Sequence, residues 1–310
     1  MIKQTRIILN CMYLIQIKRW FLALGTVVLL AGCASVVLKE EPSPPQPVAK
    51  RPPKIGLALG GGAARGFAHV GVIQVLEEAG LRPDLVVGTS AGSMVAALYA
   101  SGRTGSQLQQ VAEAMEEAAF TDWTLPIFNR GMLRGEALAR YVNVQVGNKL
   151  IEQMAMPLGV VATDLQSGSG VLFQRGDTGT AVRASSAVPA LFLPVKIGGQ
   201  EFVDGGLVSP VPVRFARQMG AEVVIAVDIS SAPEGNAAAD TVQILLQTFA
   251  IMGKSINGHE LRDADIVVRP ALAGVGGADF TARRRAIEAG RAAMQRLLPQ
   301  LKAAMEAKAR

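Results

Sequence analysis

Apolar and polar positions along the chain fall into blocks that alternate between two periods. Lys54 to Leu59 and Leu85 to Thr89 are short, almost wholly apolar runs, the pattern of strands buried on both faces. Between them, Gly60-Gly61-Gly62-Ala63-Ala64-Arg65-Gly66 leads into a helical stretch from Phe67 to Ala79 closed by Gly80, and Leu81-Arg82-Pro83-Asp84 turns the chain into the second strand. Met94 to Tyr99 reads as the next helix. Strand, helix, strand, helix is the signature of an α/β fold with a parallel sheet, whose functional loops lie at the carboxyl ends of the strands. Further on, the pattern predicts helices over 107–119 and 135–146, strands at 158–163 and 170–173, and a helix ending at Pro189. A hairpin with its turn at Gly198-Gly199 runs into Asp204-Gly205-Gly206. A helix reaching Met219, a buried strand at 221–229, a helix over 237–258, a last strand at 265–268 and a closing helix from Arg283 to Lys308 complete the chain. There is no internal repeat. The aromatic connection 121–128 is compatible with core packing or with a lid over an apolar groove.

Half of the 310 residues are apolar, so a sizeable core is available. The formal charge of +6 is misleading, because Lys3, Arg6, Lys18 and Arg19 precede residue 33 with no acid among them. Without residues 1–32 the chain keeps 27 basic against 25 acidic side chains, which gives no reason to expect a nucleic-acid partner. Lys18-Arg19, the apolar run from Trp20 to Leu30 and then Ala31-Gly32-Cys33 form the three regions of an export signal, and the apolar run is too short to span a bilayer. Leu30-Ala31-Gly32-Cys33 resembles a bacterial lipobox, which implies cleavage before Cys33 and acylation of its thiol; Met12 stands as an alternative start. Three regions follow: a signal peptide at 1–32, the lipidated Cys33 and a proline-rich linker at 33–53, and a catalytic domain at 54–310. Ala34 in place of aspartate implies export to the outer membrane, with the domain lipid-anchored in the cell envelope and facing the periplasm. The linker residues 39–53 favour an extended chain. With Cys11 removed and Cys33 acylated, the domain has no thiol for a disulfide, a metal or a nucleophile.

Gly88-Thr89-Ser90-Ala91-Gly92 carries the candidate chemistry. It is a G-x-S-x-G pentapeptide between a strand and a helix, the setting in which a sharp turn leaves the serine hydroxyl exposed at the strand tip. The glycine-rich turn at Gly60–Gly66 admits three readings. It is compatible with a tight packing turn or with a dinucleotide site, against which no acidic residue closes a second strand about 20 residues on. It is also compatible with an oxyanion hole of open backbone amides, which an elbow serine downstream favours. A serine needs a base. His69 falls at the start of a helix, where a buried structural role fits. His259 lies near a helix end among Lys254, Glu260 and Arg262, yet the order Ser90, Asp204, His259 matches an α/β-hydrolase triad. Asp204 ends an apolar strand before two glycines, and burial would raise its proton affinity enough for it to act as the base itself. Ser185 and Ser186 lack flanking glycines and read as pocket wall or helix-end groups.

Four blocks in this order resemble the patatin-like phospholipases: the turn Gly60 to Gly66, the Ser90 elbow, Ser185-Ser186-Ala187-Val188-Pro189, and Asp204-Gly205-Gly206. The resemblance runs from about Pro53 to Val213. It implies a three-layer α/β/α fold with a mostly parallel central sheet, a Ser90–Asp204 dyad without histidine, and hydrolysis of lipid acyl esters with no cofactor and no metal. The oxyanion donors it implies are the amides of Gly61, Gly62 and Ala63, with Ala91 as a further donor and Arg65 organising the loop. Ala63 departs from the family's Gly-Gly-Gly-x-Arg-Gly pattern, standing where the third glycine would be. The substrate is expected to be a membrane lipid or another acyl ester. A general esterase or thioesterase using Ser90, Asp204 and His259, or an idle lipid-binding envelope scaffold, are the competing readings.

Overall fold

A computed structural model describes residues 50–116, 122, 131–230 and 240–310. The expected signal, Cys33, most of the linker and the aromatic connection apart from Asp122 lie outside these residues.

The first strand, β1 (Ile55–Leu59), leads through a 3-10 turn at Ala63–Gly66 into α1 (Phe67–Glu78), then β2 (Leu85–Thr89) and α2 (Ala91–Ala100). The helix α3 (Gly105–Ala114) starts at Thr104, which forms a capping box with Gln107, so it begins two residues before the expected position. Next come β3 (Gly131–Leu133), α4 (Glu136–Gln145), β4 (Leu158–Asp164), β5 (Gly170–Phe173) and α5 (Thr178–Ser185). The helix α5 stops four residues short of Pro189. Residues 190–192 form a short strand, β6, that pairs in parallel with β3, a pairing absent from the sequence reading. The hairpin β7 (Val195–Ile197) and β8 (Gln200–Asp204) turns at Gly198-Gly199 as expected. The chain closes with α6 (Val213–Gln218), β9 (Val223–Val227), α7 (Thr241–Glu260), β10 (Ile266–Val268) and α8 (Arg283–Lys308).

The large sheet runs β10-β9-β1-β2-β4-β8-β7, with β5 also paired to β4. From β10 to β4 every pairing is parallel; β8, β7 and β5 are antiparallel. The mostly parallel α/β sheet is the one that the period of apolar runs predicts. Each strand divides its side chains between two cores. Ile55, Leu57 and Leu59 join Val223, Ile225 and Val227 beneath α1, α2 and α8, while Ala58, Val87 and Val224 meet Val213, Phe215 and Ala216 of α6 on the other face. Helices thus cover both faces, completing three layers.

The helices α1 and α8 touch backbone to backbone. A Cβ on Gly71 would collide with the Ile287 carbonyl, and one on Gly290 with the carbonyl of Ala68. The last helix is therefore keyed into the first by two residues without side chains.

Candidate active site

Ser90 sits between β2 and α2 with φ 53° and ψ −127°, a conformation that an L residue adopts only under constraint from its surroundings. The constraint is visible on both sides of the turn. A Cβ on Gly88 would strike the Gly92 carbonyl, and one on Gly92 would strike the Leu59 carbonyl and come within 2.6 Å of the Gly60 oxygen. Both elbow glycines are fixed by these close approaches. The Ser90 carbonyl accepts from the Ser93 hydroxyl at 2.6 Å, and the Ser90 amide donates to the Ser185 hydroxyl at 2.9 Å, which in turn donates to the Val161 carbonyl at 2.5 Å. Ser185 is fully buried, so it is a structural brace beneath the elbow. Ser186 faces the cavity, which matches the pocket-wall reading for that serine. Nothing local in the sequence marks Ser185 as the brace. Its partners lie 95 and 24 residues away, and the only signal was its position shortly before Pro189.

Asp204 reaches the same place from β8, two strands along the sheet from β2. It is the last residue of β8, opposite Ala162 of β4. Its amide donates to the Ala187 carbonyl at 2.9 Å, and its carbonyl accepts from the Thr163 hydroxyl at 2.8 Å. The carboxylate accepts from the Gly206 amide at 2.7 Å, and the Ser90 hydroxyl lies close enough to it to favour its charged form. Gly205 lies against the Val161 carbonyl, where a side chain has no room. Asp204 is only 7 % exposed, and burial raises its carboxyl to about 6, with the bonds from Gly206 and Ser90 offsetting part of the rise. Two residues 114 positions apart therefore meet through their side chains.

The glycine turn lies over the serine. Gly60 donates to Val227 at 3.1 Å, and its carbonyl accepts from His69 Nε2 at 2.8 Å. His69 is fully buried, and the loss of water holds it at about 4, so its imidazole is neutral and serves the turn. One expected donor must be corrected. The Gly61 amide is already bonded to the Pro210 carbonyl at 2.9 Å, so Gly61 contributes closeness and not a free N–H; a Cβ there would come 3.1 Å from that of Ser90. Among the described residues no acceptor takes the amides of Gly62 and Ala63, and Ala91 opens α2, where the first amides have no partner within the helix. Ala63 has φ 50°, so the residue that departs from the family pattern holds the backbone form in which glycine is cheapest. Arg65 Nε stands 3.5 Å from the Gly62 carbonyl, on the turn it was expected to organise, and Gly66 packs against Ala91.

An apolar cavity of about 240 Å³ opens beside Ser90, walled by Phe67, Met94, Leu108, Leu138, Val188 and Phe192 among others. His259 takes no part. It is exposed on α7, with Nδ1 against the Arg262 guanidinium at 2.5 Å.

With this geometry in hand, the likeness to known proteins is informative. Residues 57–217 match the family described as Patatin-like phospholipase. An uncharacterized NTE family protein of Mycobacterium tuberculosis is 37% identical over 186 residues, covering 60% of this chain and 51% of that protein. Human patatin-like phospholipase domain-containing protein 6 is 37% identical over 188 residues, covering 58% of this chain and 14% of that one. The chain thus spans about half the length, or less, of these curated relatives. The crystal structure of VipD from Legionella pneumophila shares the fold, with a TM-score of 0.59 at 16% identity over 82% of this chain and 68% of that one. The family match covers the glycine turn, the elbow and Asp204 together, and the chain belongs to the patatin-like phospholipase family.

Proposed function

We propose that this chain is a serine hydrolase that cleaves acyl esters of membrane lipids, of phospholipase A or lysophospholipase type, with Ser90 as nucleophile and Asp204 as proton acceptor. The observation that carries this reading is the nearness of the Ser90 hydroxyl, at the wall of an apolar cavity, to the buried Asp204 carboxylate. Ser90 Oγ attacks the ester carbonyl carbon while its proton passes to Asp204. The oxyanion forms beside the amides of Gly62, Ala63 and Ala91, which are held in place before the charge develops. Collapse of the intermediate breaks the ester C–O bond, and Asp204 returns the proton to the departing alcohol or lysolipid. Water then gives a proton to Asp204 and attacks the acyl-enzyme. Fatty acid leaves and Ser90 recovers its hydrogen.

A carboxyl near 6 is ionised at neutral pH yet basic enough to share a hydroxyl proton, which suits this role. The exposed position of His259 weighs against a triad. Acylation of Cys33 would tether the domain to the bilayer that holds its substrate, which fits a lipid-anchored enzyme of the outer membrane. Fluorophosphonate labelling with peptide mapping tests the assignment. Label is expected on Ser90, lost in Ser90→Ala and kept in His259→Ala. Label persisting in Ser90→Ala, or vanishing in His259→Ala, overturns it.

A further inference from the structure

The helix α7 is the least embedded long element of the domain. Of its twenty residues only Gly253, Asn257 and Glu260 are buried, so its last two turns rest on protein and its first three project. Ile244, Leu245, Leu246, Ile251 and Met252 are 55, 39, 37, 53 and 50% exposed, a concentration of large apolar side chains that a water-facing surface does not normally carry. Between the Asp240 cap and His259 the only charged side chain is Lys254.

These five side chains spread over about 220° of the helix circumference, with Gln243 and Gln247 on the remaining arc. Ile244 and Leu246 are separated by about 200° around the axis at 3.6 residues per turn, so they face opposite ways. One flat protein surface cannot cover both, whereas a fluid apolar medium can. An exposed apolar arc this broad, on a stretch whose one charge is Lys254, is suited to lipid. The Thr248 hydroxyl donates to the Ile244 carbonyl at 2.8 Å, so it needs no water.

The position of α7 points the same way. Gly253 packs on Pro210, whose carbonyl holds the Gly61 amide, and Asn257 reaches Ser230 just past β9. The foot of α7 therefore stands on the loops around Ser90, at the carboxyl ends of the parallel strands. The N-terminal tether enters at the other end. Arg51 pairs with Glu222, and the Lys54 carbonyl accepts from Glu222 and Val223, ahead of β1 and β9. Five residues of strand, roughly 17 Å, separate that entry from the glycine turn. Residues 50–54 thus join the domain at the end away from Ser90, so an anchor attached through them would not by itself seat the catalytic end on a bilayer.

We propose that residues 241–252 of α7 insert into the lipid bilayer and seat the mouth of the Ser90 cavity at its surface. This rests on the lipid-hydrolase reading above, and the test separates the two. The full chain is reconstituted in phosphatidylethanolamine–phosphatidylglycerol vesicles, as wild type and as the combined variant Ile244→Ser, Leu246→Ser, Ile251→Ser and Met252→Ser. Hydrolysis of vesicle phospholipid is compared with that of soluble p-nitrophenyl butyrate. The variant is expected to lose at least about tenfold on vesicles while its rate on the soluble ester stays within about twofold, since interfacial binding scales with buried apolar area. In addition, Ile251→Trp should gain tryptophan fluorescence that brominated-chain lipids quench. Equal rates on vesicles, or absence of quenching, overturns the proposal. So does a wild-type dimer that the four serines dissociate without loss of vesicle activity, which would make α7 a subunit contact. A wild type inactive on both substrates sinks the hydrolase reading, and the quenching still decides the fate of α7.

Discussion

Replacing Asp204 with asparagine is expected to make the protein more stable and inactive at once. The carboxyl lies at 3.8 when free and at about 6 in the fold, because burial disfavours its charge more than Gly206 and Ser90 favour it. Roughly two pH units of displacement, at about 1.36 kcal/mol each, correspond to about 3 kcal/mol. The sign follows from proton binding. Between about pH 4 and 6 the native state holds this proton more tightly than the unfolded chain does, so stability falls as pH rises through that window. Above about pH 7 the ionised carboxylate costs the native state the full amount. Asparagine keeps an oxygen for the Gly206 amide and has no charge to bury. His69 acts in the opposite sense: depressed to about 4, it contributes stability above its ordinary 6.5 that is lost as pH falls through 4. The two slopes nearly cancel in the wild type, but His69 is common to both proteins and drops out of their difference. Urea unfolding of wild type and Asp204→Asn at pH 4 and pH 8 should give equal stabilities at the lower pH and an advantage of about 3 kcal/mol for the variant at the higher. An unchanged difference at the two pH values, or a variant weaker at pH 8, would refute the buried-base argument.

Three other outcomes follow from the same contacts. The kcat/KM of the wild type on a soluble ester should rise with pH through about 6, where Asp204 ionises, and a pH–rate profile reads this directly. Ser185→Ala leaves the Ser90 amide and the Val161 carbonyl short of a partner; about 1–3 kcal/mol of stability should be lost, with kcat falling more than KM changes, measured by denaturation and steady-state kinetics. Gly92→Ala forces a methyl onto the Leu59 carbonyl and should cost about 2–3 kcal/mol by thermal melting, with fluorophosphonate labelling lost because the elbow shifts.

What the chain disclosed in advance was local chemistry. The unit from β1 to α2, with its glycine turn and elbow, was readable because each step is set by neighbours: apolar runs for strands, glycines for close turns, a serine between them. Asp204 was readable as a strand end followed by two glycines. Its meeting with Ser90 was an expectation, because it depends on β8 lying antiparallel beside β4, a long-range pairing with no local mark. The Gly61 amide escaped for the same reason, since its partner Pro210 is 149 residues distant. The β3–β6 pair was missed because three-residue strands have no measurable period. The exposure of α7 was hidden too, because its apolar pattern reads like a core helix and only the packing reveals what it leaves uncovered.

The keyed contact between α1 and α8 bears on the order of assembly. The crossover that presents Ser90 leans on α1, and α1 has a notched flank that α8, more than 200 residues further along the chain, fills. During synthesis that notch stays vacant until residues 283–308 have emerged. A nascent chain stopped after residue 217 would contain every motif of the family and still lack the part that locks its first helix in place.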